Sequence, residues 1–358
     1  MTINKRKMLS LIILILVGAV VFQRQALFIK DSHNIEINAE LKEVRKIRAD
    51  SDEVLVFENT IAINSGGNIS VENLDGSKYS ISASSDSVMY KGEGPLMIID
   101  KKKGSIIQYD EAGHIIRAIY GVGNIDEAQN FSDGSVVCQL ADKSSIVVFN
   151  KNGQRSCFIQ LPNEKILKVI GNPRSKNILV LTLNDSDGSI TNKAYLYNFD
   201  GEVVSQASFS SLIIDGYLLE DKSIILTSSS ISYFDLDFDL INRVTTDEIK
   251  AINRSGKKMF LTHQINDSDV TYYKFSIFDL VTEKFVIERR MPRVYDKIKY
   301  TDGLVLVYFQ DKFIILNDSG VIIYEGSNRN VISNAFWLEN KNLVLIDDKF
   351  ATIYELKY

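Results

Sequence analysis

Two short acidic loops carry carboxylates that could bind a cation or a basic partner. Asp185 and Asp187 lie in the first loop, and Asp267 and Asp269 lie in the second. Ca²⁺ prefers carboxylate oxygens, but a calcium loop needs them at fixed positions around a central glycine. With Gly188 at that position, a leucine and an alanine occupy the two ends of the loop. The loops therefore favour solvated hairpin tips, with binding of Ca²⁺ or a basic partner as the alternative, and no metal ligand is assigned.

A basic segment follows the second acidic loop. It contains Arg289, Arg290 and Arg293, with Lys297 and Lys299 a few residues further on. Such a segment could bind lipid headgroups or an anionic polymer of the cell wall. Pairing with the aspartates of the neighbouring acidic loop is the alternative. The three arginines and the four loop aspartates are the candidate binding residues of this chain.

The sequence contains no recognisable catalytic motif. It has no Gly-x-Ser-x-Gly, His-Glu-x-x-His, Cys-x-x-Cys or phosphate-binding loop motif. The three histidines, His33, His114 and His263, fall on different predicted elements, where we expect them to be exposed or at hairpin ends. The sequence therefore predicts no catalytic residue, no metal site and no cofactor.

The elements that position these residues follow from a phrase that occurs eight times. Apolar residues, usually including an aromatic one, precede an Asp, Asn or Glu at a turn. These turn positions lie 37, 40, 48, 37, 44, 38 and 38 residues apart, at Asn73, Asp110, Asn150, Asn198, Asp235, Asp279, Asn317 and Glu355. A period near 40 residues made of short strands is typical of a β-propeller with one phrase per blade. The sequence therefore predicts an all-β fold, an eight-bladed β-propeller, with seven blades as the alternative.

The eighth repeat ends at Tyr358 without a fourth strand. Residues 34–38 alternate apolar and polar side chains, and we expect them to supply that strand and close the ring. Residues 39–48 are ambiguous between a short helix and a strand. In this arrangement the chain enters at the face that carries the turns after the first and third strands of each blade. That face is predicted to look toward the membrane, and the acidic and basic loops to point away from it.

The two cysteines, Cys138 and Cys157, are predicted on the second and fourth strands of one blade. Alternate strands of a sheet lie about 9.5 Å apart, whereas a disulfide needs Cα atoms within about 7 Å. The sequence therefore predicts two free, buried thiols.

The N-terminal region predicts export. Lys5-Arg6-Lys7 precede an apolar run from Met8 to Phe22, and positive residues before an apolar helix favour a cytoplasmic N-terminus. We predict a cytoplasmic tail (1–7), a transmembrane signal anchor with its flank (8–29) and an extracytoplasmic propeller (30–358). The run of 15 residues is short for a span of about 20, so a cleaved signal peptide is the alternative.

The repeated phrase, apolar–aromatic–Asp–x–x–Gly–apolar, resembles the repeats of quinoprotein-like and WD40-like bacterial propellers over residues 34–358. A short anchor followed by an exported propeller is similar to membrane-associated families of Gram-positive bacteria. Quinoprotein repeats place a tryptophan after the turn, but the one tryptophan here, Trp337, falls on a first strand. The resemblance therefore implies a fold and a location, and no cofactor.

The composition excludes nucleic acid as a partner, because the net charge is −5 and the basic residues are scattered. The sequence predicts a non-enzymatic scaffold or recognition module for a protein or a cell-envelope polymer. The alternative is an extracellular glycan hydrolase or lyase with paired carboxylates at the central channel. Glu127, Asp215 and Asp296 lie near predicted first strands and are the carboxylates for that alternative.

Overall fold

The computed structural model describes residues 39–49, 53–92, 94–184, 191–267, 270–291 and 293–357. Within them, 32 strands form eight antiparallel sheets of four strands each. Contacts between neighbouring sheets are concentrated on the first strand of each sheet, so these strands lie at the axis of a ring. The chain is an eight-bladed β-propeller, and the prediction of eight blades is confirmed. Strands A to D denote the order within a blade from the axis outward.

Blades 1 to 4 follow one another in chain order. Blade 1 contains β2 (Glu53–Phe57), β3 (Thr60–Ser65), β4 (Asn68–Asn73) and β5 (Lys78–Ser82). Blade 2 contains β6 (Ser87–Tyr90), β7 (Leu96–Asp100), β8 (Ser105–Tyr109) and β9 (Ile115–Ile119). Blade 3 contains β10 (Ile125–Asn130), β11 (Val136–Leu140), β12 (Ser145–Phe149) and β13 (Arg155–Gln160). Blade 4 contains β14 (Lys165–Asn172), β15 (Asn177–Asn184), β16 (Thr191–Asn198) and β17 (Val203–Phe209).

Blades 5 to 8 complete the ring. Blade 5 contains β18 (Ile213–Leu218), β19 (Ser223–Thr227), β20 (Ser230–Phe234) and β21 (Leu240–Thr245). Blade 6 contains β22 (Glu248–Ser255), β23 (Lys258–Asp267), β24 (Val270–Asp279) and β25 (Lys284–Met291). Blade 7 contains β26 (Lys297–Thr301), β27 (Leu304–Phe309), β28 (Lys312–Asn317) and β29 (Ile322–Ser327). Blade 8 contains β30 (Asn334–Trp337), β31 (Leu343–Ile346), β32 (Phe350–Lys357) and, as its outermost strand, β1 (Glu40–Arg48).

The ring closes through β1, the first strand of the described chain. It pairs antiparallel with β32, from Glu40 opposite Lys357 to Arg48 opposite Phe350. The sequence placed the closing strand at 34–38, which lies outside the described residues, whereas the strand in the structure runs over 40–48. A bulge at Val44 shifts the register between Glu43 and Arg45. This bulge breaks the two-residue alternation, so the segment did not have the pattern of a regular strand.

Eight hydrophobic clusters hold the blades together, one between each pair of neighbours. The second strands supply much of this core: every residue of β7, β19 and β31 is buried. Strands covered on both faces carry continuous apolar runs for this reason. The last cluster joins Val56 and Ile61 of blade 1 to Val344 and Ile353 of blade 8. The closure therefore rests on packing as well as on strand pairing.

The repeated Asp or Asn at the end of strand C caps its own turn. In blade 2, Asp110 Oδ1 accepts hydrogen bonds from the backbone N–H groups of Ala112 (3.0 Å) and His114 (2.8 Å). The same arrangement is present at Asn150, Asn198, Asp235 and Asn317. These side chains replace backbone partners that the tight turn cannot provide. The repeat is therefore a structural requirement of the turns between strands C and D.

The two faces of the ring differ in what they carry. The A–B and C–D turns share one face, called here the turn face, and the B–C and D–A loops share the other, called the loop face. Because β1 begins opposite Lys357, the described chain starts at the turn face. No helix among the described residues is long and apolar enough to cross a membrane. The predicted anchor, Met8–Phe22, lies outside the described residues.

Candidate functional site

The acidic loops selected from the sequence connect the second and third strands of blades 4 and 6, β15 to β16 and β23 to β24. The strands of blade 6, β23 and β24, are ten residues long, and β15 and β16 of blade 4 are eight. Asp267 is the last residue of β23 and is paired with Val270. Asp185, Asp187 and Asp269 lie outside the described residues. Their role as binding residues stays a prediction.

The basic segment occupies the outer strand of blade 6 and the loop that follows it. Arg289 and Arg290 are half-buried on β25, and the Arg290 guanidinium lies 4.8 Å from the ring centre of Tyr272. Arg293 is exposed in the D–A loop. Lys297 donates to the Ser333 carbonyl at 3.0 Å. The segment is thus partly held by blades 6 to 8, and its exposed part is centred on Arg293.

The three carboxylates proposed for a hydrolase lie on alternate blades. Glu127 is exposed on β10 of blade 3, and Asp296 is exposed just before β26 of blade 7. Asp215, on β18 of blade 5, forms an ion pair with Lys168 of blade 4. A retaining or inverting glycosidase needs two carboxylates facing one bond. None of the three lines the two clefts described below.

His263 corrects one prediction, because it is fully buried instead of exposed at a hairpin end. Strand β23 continues to Asp267, so His263 lies within a strand and faces the blade core. Its Nδ1 is 3.3 Å from the Asp247 carbonyl oxygen, and its Nε2 is 2.5 Å from Ser276 Oγ. A carbonyl only accepts, so Nδ1 donates to it and the Ser276 hydroxyl donates to Nε2. Ser276 is buried and Asp247 is half-buried, and both contacts hold the ring in place within blade 6.

The cysteines are free, as predicted. Cys138 is buried on β11, and burial raises the pKa of its thiol far above the ordinary range. Cys157 is only half-buried, because it lies on the outer strand β13, which corrects the prediction of two buried thiols. Burial, with the nearby Asp200 carboxylate, raises the pKa of the Cys157 thiol to about 11. Both side chains are therefore protonated packing residues at neutral pH.

Sequence inspection missed a buried carboxylate on the loop face. Glu164 Oε1 accepts from Lys193 Nζ and from the Tyr195 hydroxyl, both at 2.6 Å, and the Thr182 hydroxyl donates to Oε2. Burial alone would raise the pKa of Glu164, but these three donors outweigh it and the pKa is lowered. All three of these donors belong to blade 4. This network fastens the D–A loop to that blade.

Described residues line two adjoining clefts on the turn face. One has a volume of about 570 Å³ and lies among the turns of blades 1, 2 and 3. The other, of about 510 Å³, lies between blades 8 and 1. The two share four lining residues, namely Phe57, Glu58, Tyr79 and Glu111. We treat them as one site, the turn-face cleft.

Aromatic and aliphatic side chains form the floor of the turn-face cleft. Phe57 and Tyr79 come from blade 1, and Tyr109 and Ile116 come from blade 2. Gly113, at φ +83°, lets the C–D turn of blade 2 approach the Tyr79 ring, because an added Cβ would lie 2.5 Å from Tyr79 Cδ2. Ile116 remains 53% exposed. Large exposed apolar side chains in a concave site are typical of interaction surfaces.

The rim of the turn-face cleft is acidic. Five carboxylates line it, from Glu58, Asp75, Asp110, Glu111 and Glu339. The one basic lining residue that the structure describes is Lys91. Its Nζ donates to the Gly94 carbonyl at 2.7 Å and lies 3.4 Å from Glu58 Oε1. The formal charge of the lining is therefore −4, and its one ammonium group is already paired.

The pKa values of the cleft residues agree with this charge. Hydrogen bonds from the backbone of His114 lower the pKa of Asp110, and those from Ser77 lower that of Asp75. Burial, with the Asp110 and Glu111 carboxylates, raises the pKa of the Tyr79 hydroxyl. At neutral pH the Asp110 and Asp75 carboxylates are therefore ionised and the tyrosine is neutral. The described residues contain no cluster of His, Cys, Asp and Glu that could hold a metal ion.

The fold and the cleft define the class of protein: an eight-bladed β-propeller with a concave, aromatic-floored and acidic site on its turn face. The chain belongs to the family of unknown function DUF5711, whose model matches residues 30–356. No curated protein matches the sequence closely enough to count as a relative.

Solved structures share the propeller fold at low sequence identity. BamB from Moraxella catarrhalis is 14% identical with a TM-score of 0.54, and the match covers 88% of this chain and all of BamB. Sqt1 from Saccharomyces cerevisiae is 8% identical with a TM-score of 0.61, over 88% of this chain and 99% of Sqt1. Sqt1 from Chaetomium thermophilum, bound to the N-terminus of ribosomal protein L10, is 11% identical with a TM-score of 0.60, over 88% of this chain and all of Sqt1.

Proposed function

We propose that this protein is a membrane-anchored, extracytoplasmic recognition module that binds another protein through the turn-face cleft and catalyses no reaction. The turn-face cleft carries this proposal. It brings turns of four blades together around aromatic side chains, and tyrosine and other aromatic residues supply much of the binding energy at protein interfaces. The Sqt1 propeller bound to the N-terminus of a protein supports capture of a chain segment by this fold.

The location of the cleft fits an anchored protein. The basic residues Lys5 to Lys7 before the apolar run Met8–Phe22 favour an anchor with its N-terminus in the cytoplasm. Residues 23–39 separate that run from β1 at the turn face, and 17 residues reach at most roughly 56–61 Å. In this arrangement the turn face looks toward the membrane, and the reach of the linker sets the upper limit of its separation from the membrane. The partner is accordingly an exported segment held close to the membrane.

In this orientation the loop face points outward. The long hairpins of blades 4 and 6, whose sequences include Asp185, Asp187, Asp267 and Asp269, and the basic segment around Arg293 would extend toward the cell wall. They form a second contact surface, suited to a charged envelope polymer. The protein would then connect a membrane-proximal partner with the envelope.

The test compares two serine substitutions at equivalent positions. Ile116 and Val204 are each the second residue of an outer strand directly after a C–D turn, and both are exposed, but only Ile116 lines the cleft. We expect Ile116→Ser to reduce the amount of partner that co-purifies with the full chain from native membranes by about tenfold, which corresponds to about 1.4 kcal/mol. Val204→Ser serves as the control and leaves the yield unchanged. Equal yields from both variants would show that the cleft is not the binding site.

A further inference from the structure

We propose that the partner presents to the turn-face cleft an extended segment in which lysine or arginine alternates with apolar residues. This inference rests on the proposed function and names the chemistry of the partner. It follows from the combination of an apolar floor and an anionic rim in one concave site. A purely apolar segment would remove water from the rim carboxylates without neutralising their charge, and an acidic segment would be repelled by them.

A net negative charge is available for a ligand, although four of the five rim carboxylates have a polar partner within the described residues. Glu111 is exposed at the C–D turn of blade 2, and it borders both parts of the cleft. Asp110 and Asp75 accept turn hydrogen bonds through Oδ1, and Asp110 Oδ2 lies 3.3 Å from His114 Nδ1, but both carboxylates remain ionised and at the surface. Glu58 is the only rim carboxylate paired with the cleft lysine in the described residues. A partner ammonium or guanidinium group would therefore meet a net negative charge at the rim.

The shape of the cleft selects an extended segment. Its lining runs from Glu339 and Asn340 of blade 8, across the turns of blades 1 and 2, to Ser132 of blade 3. Each part has the volume of a pocket for a few side chains. Apolar side chains of the partner would enter above Tyr79 and Ile116, while its basic side chains would reach the carboxylates at the rim. Opposite charges at the rim raise the association rate and suppress wrong partners.

The decisive experiment measures peptide binding to the full chain in phosphatidylcholine nanodiscs by fluorescence anisotropy. The probe is a short fluorescein-labelled peptide in which lysines alternate with leucine and serine. The matched probe has glutamate in place of each lysine. We expect the lysine peptide to bind, with an affinity that falls as NaCl is raised, and the glutamate peptide not to bind. Equal binding of the two peptides would overturn the proposal.

A pair of charge reversals locates the binding. Glu111 and Asp318 are both exposed, and each follows the capping Asp or Asn of a C–D turn, but only Glu111 lines the cleft. We expect Glu111→Lys to weaken binding of the lysine peptide by at least about fivefold and Asp318→Lys by less than about twofold. Equal effects would show attraction to the acidic molecule as a whole, and would contradict a site in the cleft.

One further variant tests whether a segment of this chain itself occupies the cleft. Arg24 and Lys30 flank an apolar stretch in the segment before β1, which has the chemistry proposed for the partner. If the double variant Arg24→Glu, Lys30→Glu bound the lysine peptide much more tightly than the natural chain, the cleft would belong to that segment and the proposal would be wrong. Unchanged binding supports an external partner. Co-purification that depends on Ile116 while all peptide effects fail would leave the proposed function standing and reject only this partner chemistry.

Discussion

His263 is neutral inside blade 6 because each of its ring nitrogens has one partner that fits the uncharged ring. Burial lowers the pKa of His263 and outweighs the hydrogen bond to the Asp247 backbone carbonyl, which raises it; the nearby Lys274 ammonium lowers it further, against smaller opposing effects of the Asp247 and Glu288 carboxylates. The unfolded chain therefore binds a proton at this residue more readily than the folded chain. Stability contributed by the neutral ring is complete above the ordinary pKa near 6.5 and is lost as the pH falls below it.

This argument gives a test by chemical denaturation. We expect the unfolding free energy of the natural protein to fall more steeply below about pH 6.5 than that of His263→Gln, by up to about 1.4 kcal/mol per pH unit. All other ionisable groups are the same in both proteins, so their contributions cancel in the comparison. Urea titrations at several pH values above and below 6.5 measure the two slopes. Parallel slopes would show that His263 is not held neutral by the fold.

The closing strand shows which features of this fold could be predicted from the sequence and which could not. The eight repeats predicted eight blades, because strand C and its capped turn recur in every blade. The position of the closing strand was wrong, since the bulge at Val44 hides the alternation of β1. His263 was misplaced for a similar reason, because its hairpin is longer than that of the other blades. Local irregularities of this kind depend on the neighbouring strand.

The contribution of β1 to closure is tested by two aspartate substitutions on the same strand. Ile47 packs against the cluster that joins blades 8 and 1, whereas Val44 is bulged and 56% exposed. We expect Ile47→Asp to lower the unfolding free energy by at least about 2 kcal/mol, because it places a carboxylate in an apolar contact. Val44→Asp should change it by less than about 0.5 kcal/mol. Equal losses measured by urea unfolding would contradict closure through β1.

At the scale of the whole molecule, the ring brings together residues that are far apart in the chain. Asn59 Nδ2 donates to Glu339 Oε2 at 3.0 Å across a separation of 280 residues, and both residues line the turn-face cleft. The sequence could identify the C–D turns that carry Asp75 and Glu111, since they belong to the repeat. It could not show that these turns surround one cleft, because that depends on which blades are neighbours and on how closely Gly113 lets them approach.

The closure also sets which face of the molecule a partner meets. The described chain starts at the turn face, beside the acidic cleft, and the long hairpins project from the opposite face. The sequence pointed to those hairpins because their charges are consecutive in the chain. The cleft offers more to a protein partner, since it combines concavity, half-buried aromatic side chains, an exposed aliphatic side chain and a net negative charge. The recognition surface is therefore proposed on the turn face.

Site-specific photo-crosslinking in the native cell tests this assignment most directly. A photoreactive phenylalanine analogue replaces Ala112, which lines the cleft, in one variant and Asp348, in the B–C loop of blade 8 on the loop face, in the other. We predict a discrete protein adduct from position 112, which is lost when Glu111→Lys is added. Adducts of equal yield from both positions, or an adduct from position 348 alone, would contradict recognition through the turn-face cleft.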